Sequence, residues 1–307
     1  MDKLSKIILI SGPTGSGKSN FAVKIAKKIN GEIINADSMQ VYKQFKILTA
    51  RPSLKNLKDI KHHLYGCIDF NKKFSTGKWL KEVLKKINQI KKKKKIPLIV
   101  GGTGLYFYSL INGLVKIPNI PVKIRNKVRL IQKKNGQKKF YQKLLKLDSK
   151  IKNKFDPNDS QRTIRAFEIK TFTKLSMYDW LDKTQSDFDE NDFIKYYINF
   201  ERPDLIKRIE KRVDQMIKHG ALKEVKMFNK LKIKKDHSIN KIIGINELNQ
   251  YLNKEITLSE AKKLIVIKTR QYAKRQSTWA RGRMSTWSYI SPSKFSLEIK
   301  KLLKILI

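Results

Sequence analysis

The sequence predicts an α/β protein with a P-loop parallel sheet core and an inserted helical domain. Three observations support this prediction. A glycine-rich loop joins an apolar strand to an apolar-periodic helix at the N-terminus, and apolar runs alternate with amphipathic stretches up to residue 113. Residues 114–192 are basic and helical in pattern, without clear strands. The predicted core is therefore residues 1–113 and 193–307, with 114–192 inserted.

Three short apolar runs predict the strands of the first part. They cover residues 6–10, 32–36 and 97–100, and an amphipathic helix starting near Ser75 or Thr76 separates the second from the third. Strands that alternate with helices favour a parallel sheet, because each return crossing needs a connecting element. Ligands bind such sheets at the carboxyl ends of the strands, so functional residues are expected there.

The second half of the chain is predicted to form helices and then rejoin the sheet. A capping box at 158–161, with Asn158 as the cap, predicts one helix of the insertion. Residues 193–200 are rich in β-formers and are predicted to return to the sheet. Further helices are predicted from Pro203 and from the capping box that begins at Thr257.

Composition narrows the class of protein. Hydrophobic residues make up 40% and charged residues 31%, and the apolar runs are too short for a bilayer span. The N-terminus lacks the pattern of a secretory signal, and the single cysteine, Cys67, permits no internal disulfide and no cysteine-rich zinc site. These observations predict a cytoplasmic protein without a membrane partner.

The charge is strongly positive. There are 69 Lys+Arg against 26 Asp+Glu, a formal net charge of +43. A positive field concentrates polyanions at the surface, which makes nucleic acid the leading partner. A lysine-, isoleucine- and asparagine-rich chain could also reflect a biased genome, with many lysines only solvated.

The strongest motif is a complete G-x-x-x-x-G-K-[ST] phosphate loop between the first strand and the first helix. Its residues are Gly12, Pro13, Thr14, Gly15, Ser16, Gly17, Lys18 and Ser19. Glycines let backbone amides curve around an anion, Lys18 neutralises its oxygens, and Ser19 can hold Mg²⁺. A diphosphate satisfies such a loop as well as a nucleoside triphosphate does.

A second feature argues against ATP hydrolysis. The strand at 97–100 ends on Gly101-Gly102, where a hydrolase of this class usually has an Asp that helps to hold Mg²⁺. Asp37 ends the preceding strand instead, two residues after Asn35. A carboxylate at that edge suits a residue facing a substrate, although a strand-end cap or an outer-sphere magnesium group remains an alternative.

Five segments resemble the tRNA dimethylallyltransferase family, and they cover nearly the whole chain in the family's order. They are residues 12–19, EIINADSMQVY at 32–42, VGGTGLY at 100–106, PND at 157–159 with Arg162 and Arg165, and TRQYAKRQ at 269–276. The lack of zinc-finger cysteines resembles the bacterial form. Departures from the family pattern occur at Leu48, Ile245 and Asp156, where a glycine, an aromatic residue and a histidine are expected.

The resemblance implies transfer of a dimethylallyl group from dimethylallyl diphosphate to the N6 amine of the adenosine 3′ of the anticodon, with release of pyrophosphate. An adenine amine is a weak nucleophile that needs a base, and Asp37 matches the family's base. The implied catalytic set is Asp37, Thr14, Lys18 and one arginine that stabilises the leaving diphosphate. Arg208 is the candidate for that arginine, and Arg212 is the alternate.

The resemblance also implies contacts to the anticodon stem-loop of tRNA. The implied tRNA-binding residues are Asp37, Ser38, Met39, Gln40, Thr103, Arg125, Gln161, Arg162, Thr163, Ile164 and Arg165. The basic helix at 268–275 lacks acidic residues and is predicted to face RNA. The protein is expected to act as a monomer, with Mg²⁺ as its cofactor.

Three other functions share parts of this pattern. A P-loop kinase of a nucleotide or small metabolite would keep the loop and the sheet but transfer phosphate. A non-catalytic RNA-binding protein would explain the charge and leave Asp37 idle. Prenylation of a free adenine nucleotide would use the same chemistry but would not need the inserted basic domain.

Overall fold

The computed structural model describes residues 6–52, 60–72, 74–231, 233 and 237–306. In this part of the chain six strands form one sheet in the order β3-β2-β4-β1-β5-β6, and every pairing is parallel. The strands are β1 Ile7–Ser11, β2 Gly31–Asn35, β3 His62–His63, β4 Ile96–Gly101, β5 Phe193–Ile198 and β6 Ser288–Ile290. The predicted α/β class is confirmed.

Helices make up most of the remaining regular structure. They are α1 Lys18–Lys28, α2 Thr76–Lys91, α3 Gly104–Asn112, α4 Val122–Leu147, α5 Ser160–Thr173, α6 Met177–Leu181, α7 Arg202–Lys218, α8 Ala221–Asn229, α9 Ile245–Leu252, α10 Leu258–Arg283 and α11 Phe295–Leu306. No helix in the described ranges is long and apolar enough to cross a membrane.

The sheet is buried on both faces, which explains the continuous apolar runs of its central strands. Successive side chains of a strand point to opposite faces, so Ile7 and Leu9 enter one core cluster while Ile8 and Ile10 enter another. Helix α2 packs in the first cluster and α1 in the second. The rigid sheet therefore fixes where each strand presents its carboxyl end.

Helix caps agree with the sequence at two positions and differ at one. Thr257 caps α10 in a capping box, as predicted, and Ser75 caps α2, which begins at the predicted Thr76. The prediction that Asn158 caps α5 was wrong, because the side chain of Asp159 accepts from the backbone N–H of Arg162 at 3.0 Å. A carboxylate gains more than an amide from the positive end of the helix.

The chain divides into two compact units. The first contains the described residues of 1–111 and 188–307, and the second contains 112–187. The second unit begins two residues before the predicted 114 and ends five before the predicted 192. The residues after 187 belong with the sheet because the ring of Phe188 packs edge-on against that of Phe193, with centroids 5.5 Å apart.

Candidate functional site

The phosphate loop runs from β1 into the N-terminus of α1. Gly15 and Gly17 have φ angles of 88° and 89°, a backbone conformation that favours glycine at both positions. The ammonium of Lys18 donates to the carbonyl of Pro13 at 3.3 Å. Burial lowers the pKa of Lys18 to about 8, although the nearby Asp37 carboxylate acts in the opposite direction. An anion in the loop would raise this pKa again.

Asp37 follows β2 and is held by its neighbours. The buried Asn35 amide donates to the carbonyl of Asp37 at 3.0 Å and its oxygen accepts from the Asp37 N–H at 2.9 Å. Asp37 Oδ1 accepts from the N–H groups of Met39 and Gln40 at 2.9 and 3.3 Å. Oδ2 has no hydrogen-bond partner among the described residues. One carboxylate oxygen caps the turn, and the other is available to a substrate.

A cavity of about 310 Å³ opens beside this carboxylate. Its polar wall contains Thr14, Asp37, Ser38, Thr49, Arg212, Lys241, Thr269, Tyr272 and Arg275. Its apolar wall contains Met39, Leu48, Ala50, Ile209, Val213, Met216, Ile242, Ile243 and Ile265. The cavity therefore brings together Thr14 of the phosphate loop, Asp37 and a mostly aliphatic surface.

The two candidate arginines contact different ends of the phosphate loop. The Arg212 guanidinium donates to the Thr14 hydroxyl at 3.2 Å and lines the cavity. Burial, followed by repulsion from Arg208, lowers the pKa of Arg212. Arg208 lies 5.0 Å over the ring of Phe200, with one terminal nitrogen 3.6 Å from where a Cβ on Gly17 would be. Of these two candidates, only the alternate, Arg212, shares a cavity with Asp37.

Gln276 on α10 is a site residue that the sequence motif did not single out. Its side-chain oxygen accepts from the Thr14 N–H at 2.8 Å, and its side-chain nitrogen donates to the carbonyl of Gly102 at 2.9 Å. It therefore ties the phosphate loop to the loop after β4. Gln276 lies in the segment 269–276 that resembles the family. Its partners are far away in sequence, so no local pattern could predict these two hydrogen bonds.

A second missed residue supports the cavity wall. The carboxylate of Glu224 accepts from the N–H groups of Lys46, Ile47 and Leu48 at 2.5, 2.9 and 2.8 Å. Leu48, one of the departures from the family pattern, lines the cavity, and one of its methyl carbons lies 2.7 Å from where a Cβ on Gly244 would be. The second departure, Ile245, follows that glycine and is buried in the same core cluster.

The predicted RNA-contacting residues of the first unit lie around the turn after β2. The Ser38 N–H donates to the Thr103 hydroxyl at 3.0 Å, which joins the turn to the loop after β4. Gln40 donates to the carbonyl of Thr49 at 2.8 Å and so positions a loop of the cavity. Met39 is half-buried and packs against an apolar cluster.

The second unit carries the other predicted RNA-contacting residues on α4 and α5. They are Arg125, Gln161, Arg162, Thr163, Ile164 and Arg165. Thr163 requires a correction, because its side chain is fully buried. Its hydroxyl donates to the carbonyl of Asp159 at 2.7 Å and accepts from Gln137 at 3.1 Å, so it acts inside the unit.

The described residues contain no group of three or more His, Cys, Asp or Glu side chains that could hold a metal ion. A P-loop magnesium site needs fewer protein ligands, since phosphate oxygens and water complete the shell. Ser19, in the first turn of α1, has an exposed side chain without a hydrogen-bond partner in the described ranges. Its free hydroxyl fits the predicted magnesium ligand.

The sequence and the fold both have known relatives. A tRNA dimethylallyltransferase of Pelagibacter ubique is 69% identical to this chain, and the match covers 99% of this chain and 97% of the relative. A tRNA dimethylallyltransferase of Rickettsia massiliae is 40% identical, and that match covers 98% of this chain and 84% of the relative. A tRNA isopentenylpyrophosphate transferase of Bacillus halodurans has a TM-score of 0.70 at 30% identity, covering 98% of this chain and 97% of its own.

A eukaryotic dimethylallyltransferase acting on tRNA has a TM-score of 0.81 at 29% identity, covering 93% of this chain and 73% of its own. The family model described as IPP transferase matches residues 40–283. That match begins at Gln40, three residues after Asp37, and includes the loop after β4, the second unit and Gln276. The chain belongs to the IPP transferase family.

Proposed function

We propose that the protein transfers a dimethylallyl group from dimethylallyl diphosphate to the N6 amine of the adenosine 3′ of the anticodon in tRNA, releasing pyrophosphate. The observation that carries this proposal is that Asp37, one of whose carboxylate oxygens has no partner among the described residues, lines one cavity with Thr14 of the phosphate loop. A base for the acceptor and a cradle for the leaving group are thus adjacent. The names of two relatives, a tRNA dimethylallyltransferase and a dimethylallyltransferase acting on tRNA, describe this kind of transfer.

The phosphate loop and its cations are proposed to bind the donor. The backbone N–H groups of Gly15, Gly17, Lys18 and Ser19, at the positive end of α1, donate to the diphosphate. Cleavage of the allylic carbon–oxygen bond leaves negative charge on that diphosphate, and Lys18 and Arg212 stabilise it. Arg208, at the Gly17 end of the loop, remains a second candidate for this role.

The acceptor amine is proposed to lose its proton to Asp37. The lone pair of an adenine amine is delocalised into the ring, so proton removal must accompany formation of the new carbon–nitrogen bond. Oδ1 stays bound to the N–H groups of Met39 and Gln40, which fixes the carboxylate, and Oδ2 takes the proton. The aliphatic cavity wall shields the allylic carbon from water.

Mg²⁺ is proposed to bind at Ser19. When bound, the ion adds positive charge to the diphosphate and so improves it as a leaving group. The exposed Ser19 hydroxyl at the start of α1 is the ligand that this chain supplies.

The macromolecular partner is proposed to be the anticodon stem-loop of tRNA, bound by one copy of the chain. A target adenosine stacked in a loop must be drawn out of the stack, at a cost of roughly a few kcal/mol. The formal charge of +43 offsets part of this cost through phosphate contacts. Gln161 and Arg162 are exposed at the start of α5, where such contacts are available.

The direct test is incubation with labelled dimethylallyl diphosphate and Mg²⁺, with and without tRNA and with ATP absent. Label in the RNA, located at the adenosine 3′ of the anticodon, supports the proposal. Label in a free adenine nucleotide but not in tRNA would support nucleotide prenylation instead. ATP-dependent phosphate transfer to a small molecule, without label in RNA, would support a kinase.

A further inference from the structure

The second unit contains a buried carboxylate surrounded by arginines. Glu168 on α5 is only 2% exposed. Its Oε2 lies 3.2 Å from a terminal nitrogen of Arg165 and 3.6 Å from Nε of Arg125, and its Oε1 lies 3.9 Å from Nε of Arg129. Three positive charges thus face one negative charge. Two of them are uncompensated within this cluster.

The arginines are arranged to leave their outer nitrogens open. Their side chains are 44%, 52% and 41% exposed for Arg125, Arg129 and Arg165, in contrast to the buried Glu168. Arg125 and Arg129 approach the carboxylate through Nε, so the paired terminal nitrogens that recognise a phosphate in a fork geometry are not used by Glu168. No hydrogen bond within the described residues occupies those terminal nitrogens of Arg125 and Arg129.

Structural stability alone does not require three arginines. One well-placed arginine can satisfy a buried carboxylate, yet here Oε1 of Glu168 accepts no hydrogen bond in the described part of the chain. The carboxylate is therefore only partly satisfied while it attracts three guanidinium groups. This arrangement places three positive charges close together at the surface of the second unit.

We propose that Glu168 is a positioning residue that holds Arg125, Arg129 and Arg165 together as one surface for the RNA backbone phosphates of the tRNA substrate. This inference rests on the proposed function and adds Arg129 and Glu168 to the residues that serve it. Glu168 itself does not touch RNA. It keeps three long side chains close together that would otherwise repel one another and spread over many rotamers.

The first experiment replaces Glu168→Gln, which keeps the size of the side chain and removes its charge. Released arginines should raise the KM for tRNA about tenfold, the usual effect of losing one charge-assisted hydrogen bond. The KM for dimethylallyl diphosphate and the kcat at saturating tRNA should not change. Asp182→Asn, an exposed carboxylate of the same unit, is the matched control for the change in charge.

Two outcomes of this experiment would overturn the proposal. If the carboxylate only weakens the local positive field, Glu168→Gln would bind tRNA more tightly than the wild type. If it only holds the unit together, the variant would lose kcat through a smaller active fraction, with a lower Tm and an unchanged KM for tRNA. Positioning predicts neither result.

The second experiment does not depend on removing the buried carboxylate. Arg129→Gln should lower the slope of log affinity against log salt by about 0.7 to 0.9, as expected for one lost phosphate contact. Lys127→Gln is its control, because Lys127 lies two residues away on the opposite side of α4 and lines a separate lysine-rich cleft. A changed slope for Lys127→Gln with an unchanged slope for Arg129→Gln would place the RNA in that cleft and refute the proposal.

Binding is measured separately from chemistry, so the two proposals can fail independently. A wild-type protein that binds tRNA with a steep salt dependence but transfers no dimethylallyl group would contradict the proposed function. Normal transfer with a wild-type KM for tRNA in Glu168→Gln would contradict the positioning role and leave the function intact.

Discussion

Asp37 shows how one side chain can cap a turn and still have an oxygen free for the role of base that we propose. The sequence left these two roles as alternatives, and the hydrogen bonds divide them between the two oxygens. Oδ1 caps the turn after β2, and Oδ2 remains without a partner among the described residues. Asn35 is fully buried and holds the backbone of Asp37.

Asp37→Asn separates the two roles. The amide oxygen of Asn can still accept from the Met39 and Gln40 N–H groups, but it cannot accept a proton from the adenosine amine. Affinity for both substrates should be kept, while the single-turnover rate should fall by about 10² or more, the scale of losing a positioned base. Asp37→Ala, which also removes the cap, is the control for the structural role. A near-normal single-turnover rate in Asp37→Asn would refute the assignment.

Lys18 gives the binding of the donor a dependence on pH. Its folded-state pKa of about 8 lies below the usual 10.5, so the ammonium loses its proton as pH rises through about 8. Affinity for dimethylallyl diphosphate should therefore decrease above that pH. Lys18→Arg keeps its charge, so the difference between the two pH profiles isolates Lys18 from titration of the ligand.

Calorimetry in buffers of different ionisation enthalpy provides the measurement for Lys18. Near pH 8 the wild-type protein should take up protons when the donor binds, because the diphosphate raises the pKa of Lys18. Lys18→Arg should take up fewer. Equal proton uptake by the two proteins would show that Lys18 is already fully protonated in the free enzyme.

At the scale of elements, local sequence patterns predicted strands and helix starts but not the side-chain hydrogen bonds that join distant elements. The apolar runs of β1 and β4 and the caps of α2 and α10 were readable because each depends on neighbouring residues. The bond from the Thr14 N–H to Gln276 joins residues 262 apart, and no periodicity or motif reports such a contact. The role of Glu224 could not be predicted for the same reason, because it accepts from backbone N–H groups more than 170 residues away.

The close contact of β4 with the chain after β2 makes Gly101 essential to the site. A Cβ on Gly101 would lie 2.1 Å from the carbonyl oxygen of Ala36 and 2.2 Å from its carbon, directly before Asp37. Gly101→Ala should lower the free energy of unfolding by roughly 1–3 kcal/mol, as overpacking commonly does. It should also lower kcat, because Asp37 moves with Ala36.

Gly282→Ala is the matched control for that variant. Gly282 lies in α10, and a Cβ there meets nothing within 4 Å. The substitution should raise stability by roughly 0.5–1 kcal/mol through helix propensity and leave kcat unchanged. Chemical denaturation and steady-state assays of both variants provide the comparison. Equal effects of the two substitutions would mean that the packing of Gly101 against Ala36 is not what constrains the site.

At the scale of the whole molecule, most charged residues are exposed to solvent, whereas the residues proposed for the chemical step are partly buried. The formal charge of +43 is spread over many exposed lysines and arginines, whereas Asp37 and Lys18 are partly buried, and Asp37 lines a cavity with an aliphatic wall. Salt screens exposed charges far more than buried ones. The sequence predicted the attraction to a polyanion, but only the folded chain shows which cations are shared with carboxylates such as Glu168.

Salt should therefore act on encounter with tRNA and not on the transfer step. Raising salt from about 50 to about 200 mM should lower kcat/KM for tRNA about tenfold or more, because several phosphate contacts release counterions. The single-turnover rate at saturating tRNA should stay nearly constant over the same range. A tRNA with the target adenosine replaced should show the same salt slope in binding and give no product. If the single-turnover rate falls in parallel with kcat/KM, exposed charge takes part in the chemical step itself, and exposed cations must join Lys18 and Arg212 in stabilising the leaving diphosphate.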